Sequence, residues 1–324
     1  MGIKNEIFNI KSTKDFEGLA LDVFQYQYKN ISVYREFCDL LNCNYKVVKS
    51  IQDIPFLPIQ FFKSHKISDD KNSETIFSSS GTTGSILSKH YISDLNLYKE
   101  SFTNAFQHFF GNPKDFVILA LLPSYLERDG SSLVYMVNDL IQKSENPQSG
   151  FYLNNTTELI DKLNQLEASG KKTLLLGVSY ALLDLIEKQP FQLKHTIIME
   201  TGGMKGKRRE MVKKELHEIL KKGFGVPKIY SEYGMTELLS QAYSIGEGIY
   251  KCPSWMKVLT RDAEDALSLV KGKTGGINII DLANYHSCSF IATQDLGKVN
   301  NDESFEILGR FDVSDIRGCN LMVQ

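Results

Sequence analysis

Lys172-Thr-Leu-Leu-Leu-Gly-Val178 and His195-Thr-Ile-Ile-Met199 are two short apolar runs, and residues 180–188 between them have helical spacing. Each run is strand-sized and bounded by polar residues. Strand, helix, strand in that order makes a crossover unit, which joins parallel neighbours. The pattern extends both ways. Upstream, 115–122 (DFVILALL) reads as a buried strand, and 131–142 and 156–168 read as helices. Downstream, a charged helix is expected over 206–222, with Met211, Leu216, Ile219 and Leu220 inward, followed by a strand at 228–230. The fold class is therefore α/β, with a doubly wound, mostly parallel sheet.

Residues 13–43 read as two helices preceding this core, with Phe16, Leu19, Ala20, Val23 and Phe24 on one stripe. Pro55 and Pro58 make 54–58 an extended connector. A short strand at 75–77 leads into Ser78-Ser-Ser-Gly-Thr-Thr-Gly-Ser85, and Ser93 is a candidate N-cap for the next helix. After residue 245 the β segments 276–281, 287–293 and 305–308 follow with little helix between them. The expected organisation is an α/β core with N-terminal helices over 1–245, a smaller β-rich subdomain over 246–309, and a hinge and tail over 310–324.

The chain has 324 residues, 42% hydrophobic and 23% charged, with a formal net charge of −2. That balance gives no reason to expect nucleic acid or an anionic membrane as partner. The apolar runs are too short to span a bilayer, and the N-terminus lacks a signal-peptide core. Five cysteines without framework spacing point to a reduced, cytoplasmic protein.

Four segments carry chemistry. The loop at 78–85 packs six hydroxyls and two glycines into eight positions. Glycines let backbone amides approach an anion, and hydroxyls add donors. Composition alone is equally that of a solvated turn. Tyr233-Gly-Met-Thr-Glu237 follows a strand and is expected to open a helix. Its ring can stack on a base, its threonine can touch phosphate and its carboxylate can hold Mg²⁺. In Thr293-Gln-Asp-Leu-Gly297, Asp295 either binds ribose hydroxyls or forms a turn. Arg310, after Gly309, has the fork that suits phosphate or ribose oxygens.

In that order these segments resemble the adenylate-forming superfamily, and Gly202-Gly203 is similar to its glycine pair beside adenine. Pro58-Ile-Gln-Phe-Phe-Lys63, Leu122-Pro-Ser-Tyr-Leu-Glu-Arg128, His286-Ser-Cys288 and Arg317-Gly-Cys-Asn-Leu-Met322 more specifically resemble the LuxE-type acyl-protein synthetases. The resemblance implies an adenylate-forming large-domain fold and ATP with Mg²⁺ as cofactors. The substrate would be a carboxylic, here fatty, acid, converted to an acyl-adenylate and then to a thioester on a thiol. It places Ser79, Ser80, Gly81, Thr82, Thr83 and Gly84 at the phosphates. Tyr233 and Gly234 would lie at the base, Thr236 at the α-phosphate, Glu237 on Mg²⁺ and Asp295 on ribose. Cys319 would be the acyl-accepting cysteine, and a reductase the next acceptor.

This sequence departs from the wider pattern at three places. Lys89 stands later than the usual lysine after the loop. Val313 and Ser314 follow Asp312 in a loose hinge motif. The chain ends at Gln324, so the small C-terminal domain of larger relatives, with its adenylating lysine, is expected to be absent. Lys205 or Arg310 would then supply the positive charge. Two other functions fit the same residues: a ligase that delivers acyl groups to coenzyme A or a carrier protein, and a non-catalytic nucleotide-binding relative. Cys252, His286 and Cys288 offer three possible Zn²⁺ ligands without a fourth. The basic run 205–214 reads as a solvated helix face.

Overall fold

Helix α1 (Thr13–Asn30) starts where the Ser12 hydroxyl accepts from the Asp15 amide, and it buries Phe16, Leu19, Ala20, Val23, Phe24 and Gln27. Helix α2 (Ser32–Leu40) packs beside it, as the spacing predicts. The computed structural model describes residues 2–70, 72–79, 86–123, 130–152, 155–204, 207–209 and 211–311. The proline connector forms β1 (Leu57–Pro58) and turns into α3 (Phe61–Ser64).

Strands β2 (Thr75–Ser78) and β3 (Lys89–Ile92) form an antiparallel pair. Helix α4 (Leu95–Phe110) follows, capped by Asp94 rather than Ser93, because the Asp94 carboxylate accepts from the amides of Asn96 and Leu97. Then come β4 (Val117–Leu121), α5 (Ser132–Lys143), β5 (Gly150–Tyr152), α6 (Thr156–Ala168), β6 (Thr173–Val178), α7 (Ser179–Lys188), β7 (Thr196–Thr201), α8 (Lys213–Phe224) and β8 (Tyr230–Tyr233). Strands β5, β4, β6, β7 and β8 lie side by side in that order, all parallel. Strands β4 and β6 are buried along their whole length, which is why they read as unbroken apolar runs. Each fully buried Leu or Val there contributes about 1.5–3 kcal/mol.

Helices cover both faces. Glu200 on β7 and Ser231 on β8 are register partners, and both reach His217 of α8. Glu232, one residue on, pairs with Tyr243 of the following strand, whose ring packs on Phe110 of α4. Helices α4 and α8 therefore cover opposite faces of one sheet. The order places a switch point between β4 and β6, the usual crevice for a ligand in such sheets.

The chain then continues the same sheet in antiparallel fashion. Strands β9 (Ala242–Ser244), β10 (Ile249–Lys251), β11 (Met256–Arg261), β12 (Leu269–Val270), β13 (Gly275–Asp281), β14 (Phe290–Val299) and β15 (Phe305–Arg310) extend it from β8 in the spatial order β9, β10, β15, β14, β13, β11, β12. The stretch after residue 245 is thus hydrogen-bonded to the α/β core through the β8–β9 and β9–β10 ladders. Arg310 is the last residue of β15.

Three sequence expectations change. Helix α8 begins at Lys213 rather than near 206, and Ile219 faces outward, with 38% of its surface exposed. Tyr233 lies inside a strand, and no helix opens after it; residues 234–241 turn back into β9. Asp295 sits within β14, beside a bulge at Leu296/Gly297, rather than in a turn. Among the described residues, no helix is long and apolar enough to cross a membrane.

Candidate active site

Parallel strands bring their carboxyl ends to one edge. Strand β7 ends at Thr201 and delivers Gly202 and Gly203; β8 ends at Tyr233 and delivers Gly234, Met235, Thr236 and Glu237. Gly202 adopts a left-handed φ of 65°, and its carbonyl accepts from the Ser179 hydroxyl at 3.1 Å. At Gly234 a Cβ would stand 2.4 Å from Glu232 Oε1, so any larger residue would have to displace that carboxylate.

Asp295 links the two halves of the sheet. The Tyr233 hydroxyl donates to its Oδ2 at 2.7 Å, and Arg310 Nε donates to its Oδ1 at 2.9 Å. Burial, followed by the negative Asp295, pushes the Tyr233 hydroxyl well above its ordinary range, so it remains a donor. The Asp295 amide donates to Thr293 Oγ1 at 3.1 Å. The Thr293 carbonyl in turn accepts from buried Arg261 at 2.6 Å. The strand around Asp295 is thus held from within.

Glu237 is 6% exposed, and burial raises its pKa; the Ser88 hydroxyl and the charges of Arg310 and Lys63 act in the opposite direction. It forms no ion pair among the described residues. A buried carboxylate beside the Ser88 hydroxyl, without an ion pair among the described residues, fits a divalent metal. Its main chain is fastened from below, where Asn284 Nδ2 donates to the Glu237 carbonyl at 2.8 Å. Asp281 accepts from the amides of Leu239 and Ser240, both at 2.9 Å.

The hairpin approaches from the other side. Beyond β2, the Ser79 amide donates to the Ser88 carbonyl and the Ser88 amide donates to Ser79 Oγ, both at 3.0 Å. The Ser78 amide donates to the Gly130 carbonyl at 2.8 Å. Ser80, Gly81, Thr82, Thr83 and Gly84 lie outside the described residues, as do Lys205, the 124–128 segment, Asp312, Arg317 and Cys319.

Tyr233, Gly234, Thr236, Glu237, Asp295 and Arg310 are thus brought to one edge, with Gly202 and Gly203 at the end of the neighbouring strand. Over residues 9–324 the chain matches the family model described as acyl-protein synthetase, LuxE. The chain belongs to this acyl-protein synthetase family. It is 24% identical over 327 residues to the long-chain-fatty-acid–luciferin-component ligase of Vibrio harveyi, covering 94% of this chain and 85% of that protein. The crystal structure of 2-hydroxyisobutyryl-CoA ligase with 2-HIB-AMP and CoA has a TM-score of 0.67 at 13% identity, over 95% of this chain and 78% of that one. ATP-bound MatB from Rhodopseudomonas palustris has a TM-score of 0.53 at 19% identity, over 72% of this chain. The match spans about half of MatB, 47% of its length. These likenesses show that the family member described here has the fold of adenylate-forming ligases.

Two residues near the site were not singled out for a role from sequence. Lys63 closes the family-like stretch 58–63, and its charge is felt at Glu237. His90, which stands in no sequence motif, bonds the Thr236 carbonyl. Neither stands in a recognisable motif with Glu237, because each lies more than a hundred residues away in sequence. The suggested zinc triad does not form: His286 Nδ1 bonds Asp69 at 2.7 Å, Cys288 donates to its neighbour Phe290 O, and no described group of three such residues could hold a metal.

Proposed function

We propose that this protein joins a fatty acid to AMP at the expense of ATP and then transfers the acyl group to a thiol, with Cys319 as first acceptor. The supporting observation is the convergence of Glu237, Asp295 and Arg310, with Thr236, at the carboxyl edge of the sheet. Asp295, held by Tyr233 and Arg310, offers its carboxylate to ribose hydroxyls. Gly202 and Gly203 leave room for adenine. Ser79 and the loop 80–84 hold the outer phosphates, and Thr236 touches the α-phosphate. Glu237 carries Mg²⁺, which offsets phosphate charge when bound.

In the first step a carboxylate oxygen attacks the α-phosphorus, the α–β P–O bond breaks and pyrophosphate leaves. Arg310 feels the negative charges of both Asp295 and Glu237, so its charge is suited to this centre, and Lys205 is the alternative source. In the second step the thiolate attacks the acyl carbon, the bond to AMP breaks, and the thiol proton passes to solvent. A reductase, a carrier protein or coenzyme A would receive the acyl group from there.

ATP–pyrophosphate exchange across a panel of carboxylic acids tests the first step. Exchange should depend on a long-chain acid, and Glu237→Ala should lower it at least about 10²-fold, the scale of losing one preorganised charge-stabilising group. Full exchange by that variant sinks the assignment. Intact mass after incubation with ATP and acid tests the second step: an acyl adduct should appear and vanish in Cys319→Ser. Acyl-CoA release at full rate by Cys319→Ser would instead make coenzyme A the direct acceptor.

A further inference from the structure

His90 follows Lys89 in β3, and strand alternation turns its side chain inward. Its imidazole is buried, with 1% of the residue's surface exposed. Nδ1 lies 2.9 Å from the Thr236 carbonyl oxygen, and Nε2 lies 2.8 Å from Ser287 Oγ. A carbonyl oxygen only accepts, so Nδ1 carries the proton. Nε2 then accepts, and the Ser287 hydroxyl donates to it. The edge of Phe62 closes the pocket, with ring centroids 5.5 Å apart. Burial pushes the His90 pKa down to about 4, so the ring is neutral at physiological pH.

One ring therefore ties three segments, its own strand and two that lie 146 and 197 residues away along the chain. The first is the hairpin carrying the Ser/Thr/Gly loop. The second is the peptide of Thr236, next to Glu237. The third is the turn at Ser287, whose neighbour Asn284 holds the Glu237 carbonyl. An apolar side chain here would leave the Thr236 carbonyl without this donor, and buried polar groups are expensive to leave unpaired.

We infer that His90 is a positioning residue for adenylation: its imidazole sets the separation between the β2–β3 hairpin and Thr236–Glu237, and so the alignment of the ATP triphosphate for attack at its α-phosphorus. The inference rests on the adenylation reading above. His90 itself touches no substrate. Its contribution is geometric, and small misplacements in such sites lower rates without abolishing the fold.

The test is acid-dependent ATP–pyrophosphate exchange in the full chain, with thermal unfolding measured in parallel on His90→Phe, His90→Asn and Ser287→Ala. Phenylalanine keeps the ring against Phe62 and removes both hydrogen bonds. Asparagine retains an amide N–H near the place of Nδ1. His90→Phe should lower the exchange kcat about 10²-fold, the cost of a misplacement near 1 Å, with KM for the fatty acid changed less than about twofold. His90→Asn should recover at least about tenfold of that loss while melting no higher than His90→Phe, so that rate follows the hydrogen bond rather than stability. Exchange by His90→Phe within about threefold of the parent overturns the inference, as does an equal loss in both variants. Should His90→Phe fail to fold, Ser287→Ala and His90→Asn carry the test, and full exchange by both overturns it. A parent protein with no acid-dependent exchange overturns the adenylation reading instead; an active parent with an indifferent His90 overturns only this inference.

Discussion

Tyr233 and Arg310 both aim at the carboxylate of Asp295, and that single side chain joins strands 62 and 15 residues away. In the proposed function its two oxygens accept from ribose hydroxyls. The tyrosine and arginine hold it in place. Asp295→Asn keeps the shape and removes the charge. Hydrogen bonds to charged groups are worth about 1.5–3 kcal/mol, so KM for ATP should rise about 10- to 100-fold while KM for the acid changes little. Steady-state exchange kinetics measure this, and an unchanged KM for ATP would remove Asp295 from the nucleotide site. At this scale the sequence was most informative where a residue had a motif around it. Asp295 and Glu237 were nameable as candidates because neighbours constrain their types. His90 was not, because both its partners come from distant segments and no local spacing encodes them.

Helix α8 shows what an element hides. The run 205–214 reads as a solvated basic face, and part of it is surface: Arg208 pairs with Asp184 and Glu187 of α7. Lys213, however, sends its ammonium to Glu200 at 2.6 Å, and Glu200 is fully buried at the end of β7. Burial opposes ionisation of Glu200, but Lys213 first and then His217 hold its carboxyl down to about 2. The sign follows from linkage: a lowered pKa gives stability that is present above the ordinary carboxylate range and is lost as pH falls from about 4.5 toward about 2. Lys213→Met removes the partner and leaves the buried charge. It should cost about 3–5 kcal/mol in denaturant unfolding at pH 7. A loss below about 1 kcal/mol would mean the pair behaves as a surface bridge. The periodicity of 213–224 was readable, but the helix start was not, since a charged run looks alike whether it is helix face or ion-paired loop.

Across the whole molecule, a second buried acid acts with the opposite sign. Glu232 faces away from α8 and accepts from the Thr201 hydroxyl. Burial raises its pKa to about 7, and the nearby Glu200 adds to the shift. The folded state therefore keeps a proton that the unfolded chain has released between about pH 4.5 and 7. This contribution is present at low pH and is lost as pH rises through that window, on the order of 1 kcal/mol per unit. Glu232→Gln should flatten that fall in stability, read as melting temperature from pH 5 to 8. A slope as steep as the parent's would show that Glu232 does not titrate there.

By itself the sequence determined the alternation of strand and helix, the apolar strands β4 and β6, the two N-terminal helices and the ordered motifs of an adenylate-forming enzyme. These are local signals: periodicity, caps and short motifs reside in neighbouring residues. Only the tertiary structure decided that Tyr233-Gly-Met-Thr-Glu237 turns into an antiparallel strand instead of a helix. It alone showed that β9–β15 extend the first sheet, and that His90 meets Thr236. The His90–Thr236 bond joins residues 146 apart, and the β8–β9 and β10–β15 ladders depend on which strand lies alongside, so no local pattern names these partners.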